Sequence, residues 1–182
     1  TYPERTFADS FPEGAEVFKF SQGLAAVPFV VDPLVMFWNR DIFTDAGITS
    51  PPETWDEFTA ISKLLTRRDE KINIIQSFAA LGEYRNVNHA KDILSLLALQ
   101  NGNPLTQLSS VDELFSTLAD QAYTKGTSEA ISFFTSFADP QGDLYSWNRA
   151  LPDAKEYFIG GKLGVYFGYA SEIPELRAKN PN

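Results

Sequence analysis

The sequence has no cysteine, which removes disulfides, cysteine-ligated zinc and thiol nucleophiles together. It has one histidine, His89. That leaves little room for a Ser-His-Asp triad and none for a two-histidine metal site. Cations are scarce too: 15 Lys and Arg stand against 24 Asp and Glu, a formal net charge of -9. They occur singly except for Arg67-Arg68. A groove that tracks nucleic-acid phosphates needs clustered cations, so no nucleic-acid partner is expected. An anionic membrane surface is disfavoured for the same reason. No apolar run approaches the length of a membrane span. The phosphate-binding patterns G-x-G-x-x-G and G-x-x-x-x-G-K-[ST] and the nucleophile elbow G-x-S-x-G are all missing.

What is present is a core. The chain has 182 residues, 43% of them hydrophobic and 14% aromatic. That suffices for one sizeable domain or two small ones. The chain begins at Thr1 and stops at Lys179-Asn180-Pro181-Asn182. Both ends read as cuts inside a longer chain, so a missing signal peptide says nothing about location.

Residues 1–22 read as an irregular or partly helical lead-in. Residues 24–40 are rich in β-branched and aromatic side chains and carry Pro28 and Pro33. They read as two buried strand pieces joined at a bend. A short helix over 41–46 is closed by Gly47. Thr54-Trp55-Asp56-Glu57 is a capping box. Trp55, Phe58, Ile61 and Leu65 then recur at helical spacing, which predicts a helix over 55–67. Ile72 to Ile75 read as a strand, and Asn88 to Gly102 as a deeply buried helix. Ser110 with Glu113, followed by Val111, Leu114, Phe115, Leu118 and Ala122, predicts another helix. Further helices are expected over 128–138 and from Leu151 to Gly160. Leu163 to Tyr169 is a strand, and Ser171 caps a final helix. Such interleaving predicts an α/β fold, a small sheet flanked by several helices.

Paired carboxylates raise the possibility of glycosidase chemistry. Asp56-Glu57, Asp69-Glu70 and Asp112-Glu113 fall at expected helix starts or ends, where they complement the helix dipole. Asp32 differs, because it lies inside an apolar run. A carboxylate there must tie down backbone amides at the bend or face a cleft. The loop Gly82 to Asn88 follows a strand and precedes a helix, the place where ligands collect in open α/β sheets. Glu83, Tyr84, Asn86 and Asn88 give it an acceptor, an aromatic ring and two amides, the mix that sugar hydroxyls and ring faces require. Phe167 to Ser171, with Tyr169 and Ser171, is a second strand-to-helix junction. Trp147 is a core plug or a sugar platform. His89 reads best as a helix-start surface residue.

Val27-Pro28-Phe29-Val30-Val31-Asp32-Pro33-Leu34-Val35-Met36-Phe37-Trp38-Asn39-Arg40, then Ala46-Gly47-Ile48 and Pro51-Pro52-Glu53-Thr54-Trp55-Asp56-Glu57, form one ordered set of motifs. Phe158, Gly161-Lys162, Gly168-Tyr169 and Ile173-Pro174 form a second. Together they resemble the hinge region and a later segment of extracellular solute-binding proteins of the maltose-binding type. The resemblance implies one lobe of a two-lobed, periplasmic-binding-protein-like fold. Residues 1–29 would be a lead-in and hinge strand from the first lobe, and 30–182 the second lobe, with both ends of that lobe on one side near the hinge. It further implies a non-catalytic receptor that delivers an extracellular sugar to the permease subunits of an ABC importer. The location would be extracytoplasmic, periplasmic or lipoprotein-anchored. No cofactor or metal is implied. Asp32, Glu83, Tyr84, Asn86, Asn88, Trp147, Tyr169 and Ser171 are the expected ligand contacts. Many relatives carry Trp where Tyr169 stands. The alternatives are a carbohydrate-active enzyme domain and a surface interaction module.

Overall fold

The computed structural model of the chain describes residues 3–11, 13–111 and 113–181. Asp112 lies outside them. The chain opens with α1 (Glu4–Ser10), a 3-10 turn over Glu13–Phe18, and a two-stranded ribbon of β1 (Lys19–Phe20) and β2 (Gly23–Leu24). Phe7 and Ala15 are buried there, apart from the main core. Residues 25–33 form no strand, and Phe29, Val30 and Val31 are exposed. This corrects the first half of the expected strand pair: a β-branched run becomes a strand only where a neighbouring strand pairs with it.

The second half pairs as expected. Strand β3 (Leu34–Trp38) runs antiparallel to β8 (Leu163–Tyr169), with Leu34 opposite Tyr169. Asn39 then caps α2 (Arg40–Asp45), its Oδ1 accepting the N–H groups of Asp41 and Ile42 at 3.0 and 3.1 Å. Gly47 (φ +76°) lets the chain turn out of it. Helix α3 (Trp55–Leu65) begins where the capping box predicts, with Thr54 Oγ1 accepting the Glu57 N–H. The reciprocal arm is displaced by one residue, because the Glu57 carboxylate accepts from Glu53 N–H at 2.8 Å. Strands β4 (Arg67–Arg68) and β5 (Ile74–Ala79) follow. Asp69 sits in the turn between them rather than at a helix end, accepting the N–H groups of Lys71 and Asn73. Ile72, expected in the strand, is in that turn with φ +65°.

Helix α4 (Ala90–Gln100) buries Ala90, Ile93, Leu97 and Ala98 but exposes Leu99, so its burial is one-sided. Where a helix was expected from Ser110, the chain forms a hairpin of β6 (Thr106–Leu108) and β7 (Leu114–Ser116). The Ser109 hydroxyl accepts the N–H groups of Val111 and Glu113 and so makes the turn. Val111, Leu114, Phe115 and Leu118 remain exposed. Helical spacing had nothing to bury against, and local turn chemistry prevailed. Helices α5 (Thr124–Ser136) and α6 (Ala154–Ile159) come next, the latter capped by Asp153. Strand β8 (Leu163–Tyr169), a 3-10 turn over Ala170–Glu172 and α7 (Ile173–Lys179) complete the chain.

The main sheet has the order β3-β8-β5-β4. Strands β5 and β8 are parallel, and β3 and β4 are antiparallel to their neighbours. Six of the seven residues of β8 are buried, which explains its unbroken apolar run. The main core gathers Phe43, Phe58, Leu65, Phe78, Leu81, Phe137, Trp147, Leu163 and Val165. This mixed α/β architecture is that of a single lobe. Helix α7 runs from the Tyr169 end of the sheet towards the other end, where Arg40 Nη2 donates to the Pro181 carbonyl. Pro33 and Pro181 thus lie towards opposite ends of β3.

Candidate functional site

Because β5 and β8 are parallel and β3 is antiparallel to β8, three features meet at one edge of the sheet. These are the C-terminal ends of β5 and β8 and the start of β3. The loop 80–89, the turn 169–172 and the segment at Asp32 are thereby brought to the same edge. Gly82 makes the first loop possible. Its φ is +90°, and a Cβ there would lie 2.6 Å from Ala138 Cβ and 2.7 Å from Ala138 N.

The centre of this edge is Glu172, which the sequence did not single out. Its Oε1 accepts the Tyr169 N–H at 2.8 Å and faces His89 Nε2 at 2.9 Å. Its Oε2 accepts the Tyr166 hydroxyl at 3.0 Å and pairs with Lys155 Nζ at 3.0 Å. Burial pushes this carboxyl up, but the Tyr169 amide, Lys155, Tyr166 and His89 outweigh it and hold it below its ordinary value. Burial, followed by the charge of Glu172, pushes the Tyr166 phenol well above its usual range. Lys155 is held up chiefly by Glu175, with which it also pairs. The same pairing, with Lys179, drops Glu175 to about 2.

Tyr169 is held from three sides. Its hydroxyl donates to Asp92 Oδ2 at 2.9 Å, its amide to Glu172, and the His89 ring meets its ring edge-on with centroids 4.5 Å apart. The bond to Asp92 raises the phenol above its ordinary value. His89 reaches this place because its backbone is left-handed, φ +59°, at the N-cap of α4. It is thus part of the network rather than a plain surface residue.

The other expected contacts divide. Tyr84 is 76% exposed, and its neighbour Glu83 pairs with Arg149 at 3.3 Å. Asp32 is tied to the turn: Oδ1 accepts the Ser171 N–H at 2.9 Å and Oδ2 the Ser171 hydroxyl at 2.6 Å. Ser171 therefore does not cap α7. Asn86 turns inward, its amide donating to the carbonyls of Asn148 and Leu151 and its oxygen accepting the Trp147 indole N–H. Trp147 itself is fully buried, which corrects the platform reading: its faces are spent on the core. Asn88 braces the start of α6 through Asp153 and the Lys155 N–H, and neither amide side chain reaches Asp32. Among the described residues no cluster of His, Asp and Glu could hold a metal ion.

A 490 Å³ apolar groove between α4, α5 and the β6–β7 hairpin meets this group of residues only at Tyr84. Among the described residues no helix is long and apolar enough to cross a membrane.

The family model described as bacterial extracellular solute-binding protein matches residues 5–181. No curated protein matches. Among solved structures, CpMnBP1 with mannotriose bound is similar with a TM-score of 0.68 and 21% identity, covering 100% of this chain and 45% of that one. A solute-binding protein from Thermotoga lettingae bound with α-D-tagatose gives 0.63 and 19%, over 98% and 43%. The sugar-binding protein MalE from Xanthomonas citri gives 0.62 and 20%, over 96% and 40%. The chain thus spans less than half the length of the structures it matches.

Proposed function

This chain belongs to the bacterial extracellular solute-binding protein family, and from that premise we propose that it forms the second lobe of a sugar receptor. Residues 30–182 make this lobe, and residues 1–29 a lead-in and extended hinge segment from the first. The ligand is a sugar or oligosaccharide, held between this sheet edge and the first lobe. The receptor works outside the cytoplasm, periplasmic or lipid-anchored, and hands the sugar to the permease subunits of an ABC importer.

The observation that carries this reading is the fixed Tyr169. Asp92, Glu172 and His89 hold the ring in place, at the sheet end from which the loop with the exposed Tyr84 and the Glu83–Arg149 pair also leaves. A sugar needs a rigid aromatic surface and planar polar groups around it. The three solved structures described above are of proteins that hold mannotriose, hold tagatose or are named sugar-binding. A hydrolytic role fits poorly. A glycosidase acid needs a carboxyl raised towards neutrality, whereas Glu172 is lowered.

The test is calorimetric titration of the full-length protein with mono- and oligosaccharides, amino acids and short peptides. Binding of a sugar without its turnover is expected. Binding of peptides or amino acids alone, or glycoside cleavage, would refute the reading. The isolated lobe should bind far more weakly: if the first lobe supplies about 4 kcal/mol, the Kd rises roughly a thousandfold.

A further inference from the structure

Among the described residues, residues 26–31 make no hydrogen bond to the rest of the chain, and Phe29 is fully exposed. Attachment begins at Asp32. Its carboxylate takes both the N–H and the hydroxyl of Ser171. The next carbonyl, Pro33, accepts the Ala170 N–H at 3.0 Å. Leu34 then enters register opposite Tyr169. The segment is thus bonded to the two residues that lie between Tyr169 and Glu172.

We propose that Asp32 and Ser171 form a clasp that couples the movement of residues 26–31 to the Tyr169 corner. The proposal rests on the two-lobed reading above. Both residues are then positioning residues, acting on a ligand through Tyr169. Pro33 fixes its own φ and restricts Asp32 to extended backbone, so bending cannot occur at the clasp and is confined to the unbonded stretch before it. A rotation of that stretch pulls on the turn 170–172. Glu172 in that turn holds the Tyr169 amide and faces His89, so the position of the lobes and the position of the ring are linked.

The test uses the full-length protein with one spin label in each lobe. Interlobe distance distributions without ligand, and affinity for a sugar that binds the wild type, are measured for Asp32→Ala, Ser171→Ala, the double variant and Asp32→Asn. Each Ala variant should broaden the distances and weaken affinity by up to roughly fivefold, since a bond to a charged acceptor is lost from an exposed site. Ser171→Ala keeps its N–H bond to Asp32, so it should be the milder single, and the double variant should do no worse than Asp32→Ala, which already removes both bonds. Asp32→Asn should keep the wild-type distribution, its amide still serving as partner to the Ser171 N–H and hydroxyl. Unchanged distances in both single variants, additive effects, or an affinity loss in Asp32→Ala alone would overturn the clasp. If the wild type binds no sugar, the ligand reading fails and the distance distributions still decide the clasp.

Discussion

Replacing Glu172 should be the most damaging single change at the sheet edge. Four donors converge on this carboxylate, and they differ in what they can do without it. Tyr166 is 1% exposed, so its hydroxyl would be left buried with no acceptor, at about 1–3 kcal/mol. Lys155 would keep Glu175, and the loss there is small. His89 and the Tyr169 amide lie partly exposed and can turn to water, adding about 1 kcal/mol. Glu172→Ala should therefore cost about 2–4 kcal/mol. Glu172→Gln should cost about 1–2 kcal/mol, since one acceptor survives while its amide faces further donors. Urea unfolding at pH 7 measures both. The pH dependence follows from the lowered carboxyl. Its folded value lies below its ordinary value of 4.5. Its contribution is complete above that value and is lost as pH falls through the folded one. The gap between wild type and Glu172→Gln should close over that acid range. Equal stability of the two proteins at pH 7, or a gap that widens in acid, would refute the assignment of Glu172 as the hub.

Gly82→Ala should destabilise by more than about 2 kcal/mol in thermal unfolding, because positive φ and a Cβ clash with Ala138 coincide. Trp147→Ala should cost about 3–5 kcal/mol, as for other fully buried large side chains, and would leave Asn86 without its indole donor; a native melting temperature would contradict its core role. Tyr169→Phe keeps the ring but drops the bond to Asp92, and should weaken sugar affinity in calorimetry less than Tyr169→Ala does. Equal losses would show that the ring face contributes nothing.

The sequence alone determined the elements whose signals agree at every level. Helix α3 combined a cap, an acidic first turn and an apolar stripe that finds Phe78 and Phe137 to pack against. Strand β8 was legible because a strand covered on both faces must be apolar throughout. Much of the family motif set lies on or beside β3, α3 and β8, although Val27 to Pro33 form no strand. The hairpin at 106–116 was not legible, because Val111, Leu114, Phe115 and Leu118 carry helical spacing yet stay exposed. Periodicity predicts a helix only if a partner surface exists, and that is a fact of tertiary packing.

At the candidate site the division is similar. Tyr169, Tyr84 and Glu83 could be named because strand-to-helix junctions in an α/β fold gather at one edge. The sequence left Trp147 between core plug and platform and Asp32 between amide anchor and cleft, and it gave no sign of the inward turn of Asn86. A polar side chain bonds whichever partner the fold brings within 3 Å or so. Glu172 collects donors from residues 155, 166, 169 and 89. Only its bond to Tyr169 N–H, three residues away, left a local signal. Residues 89 and 172 meet because two parallel strands end side by side, and that arrangement exists only in the folded chain.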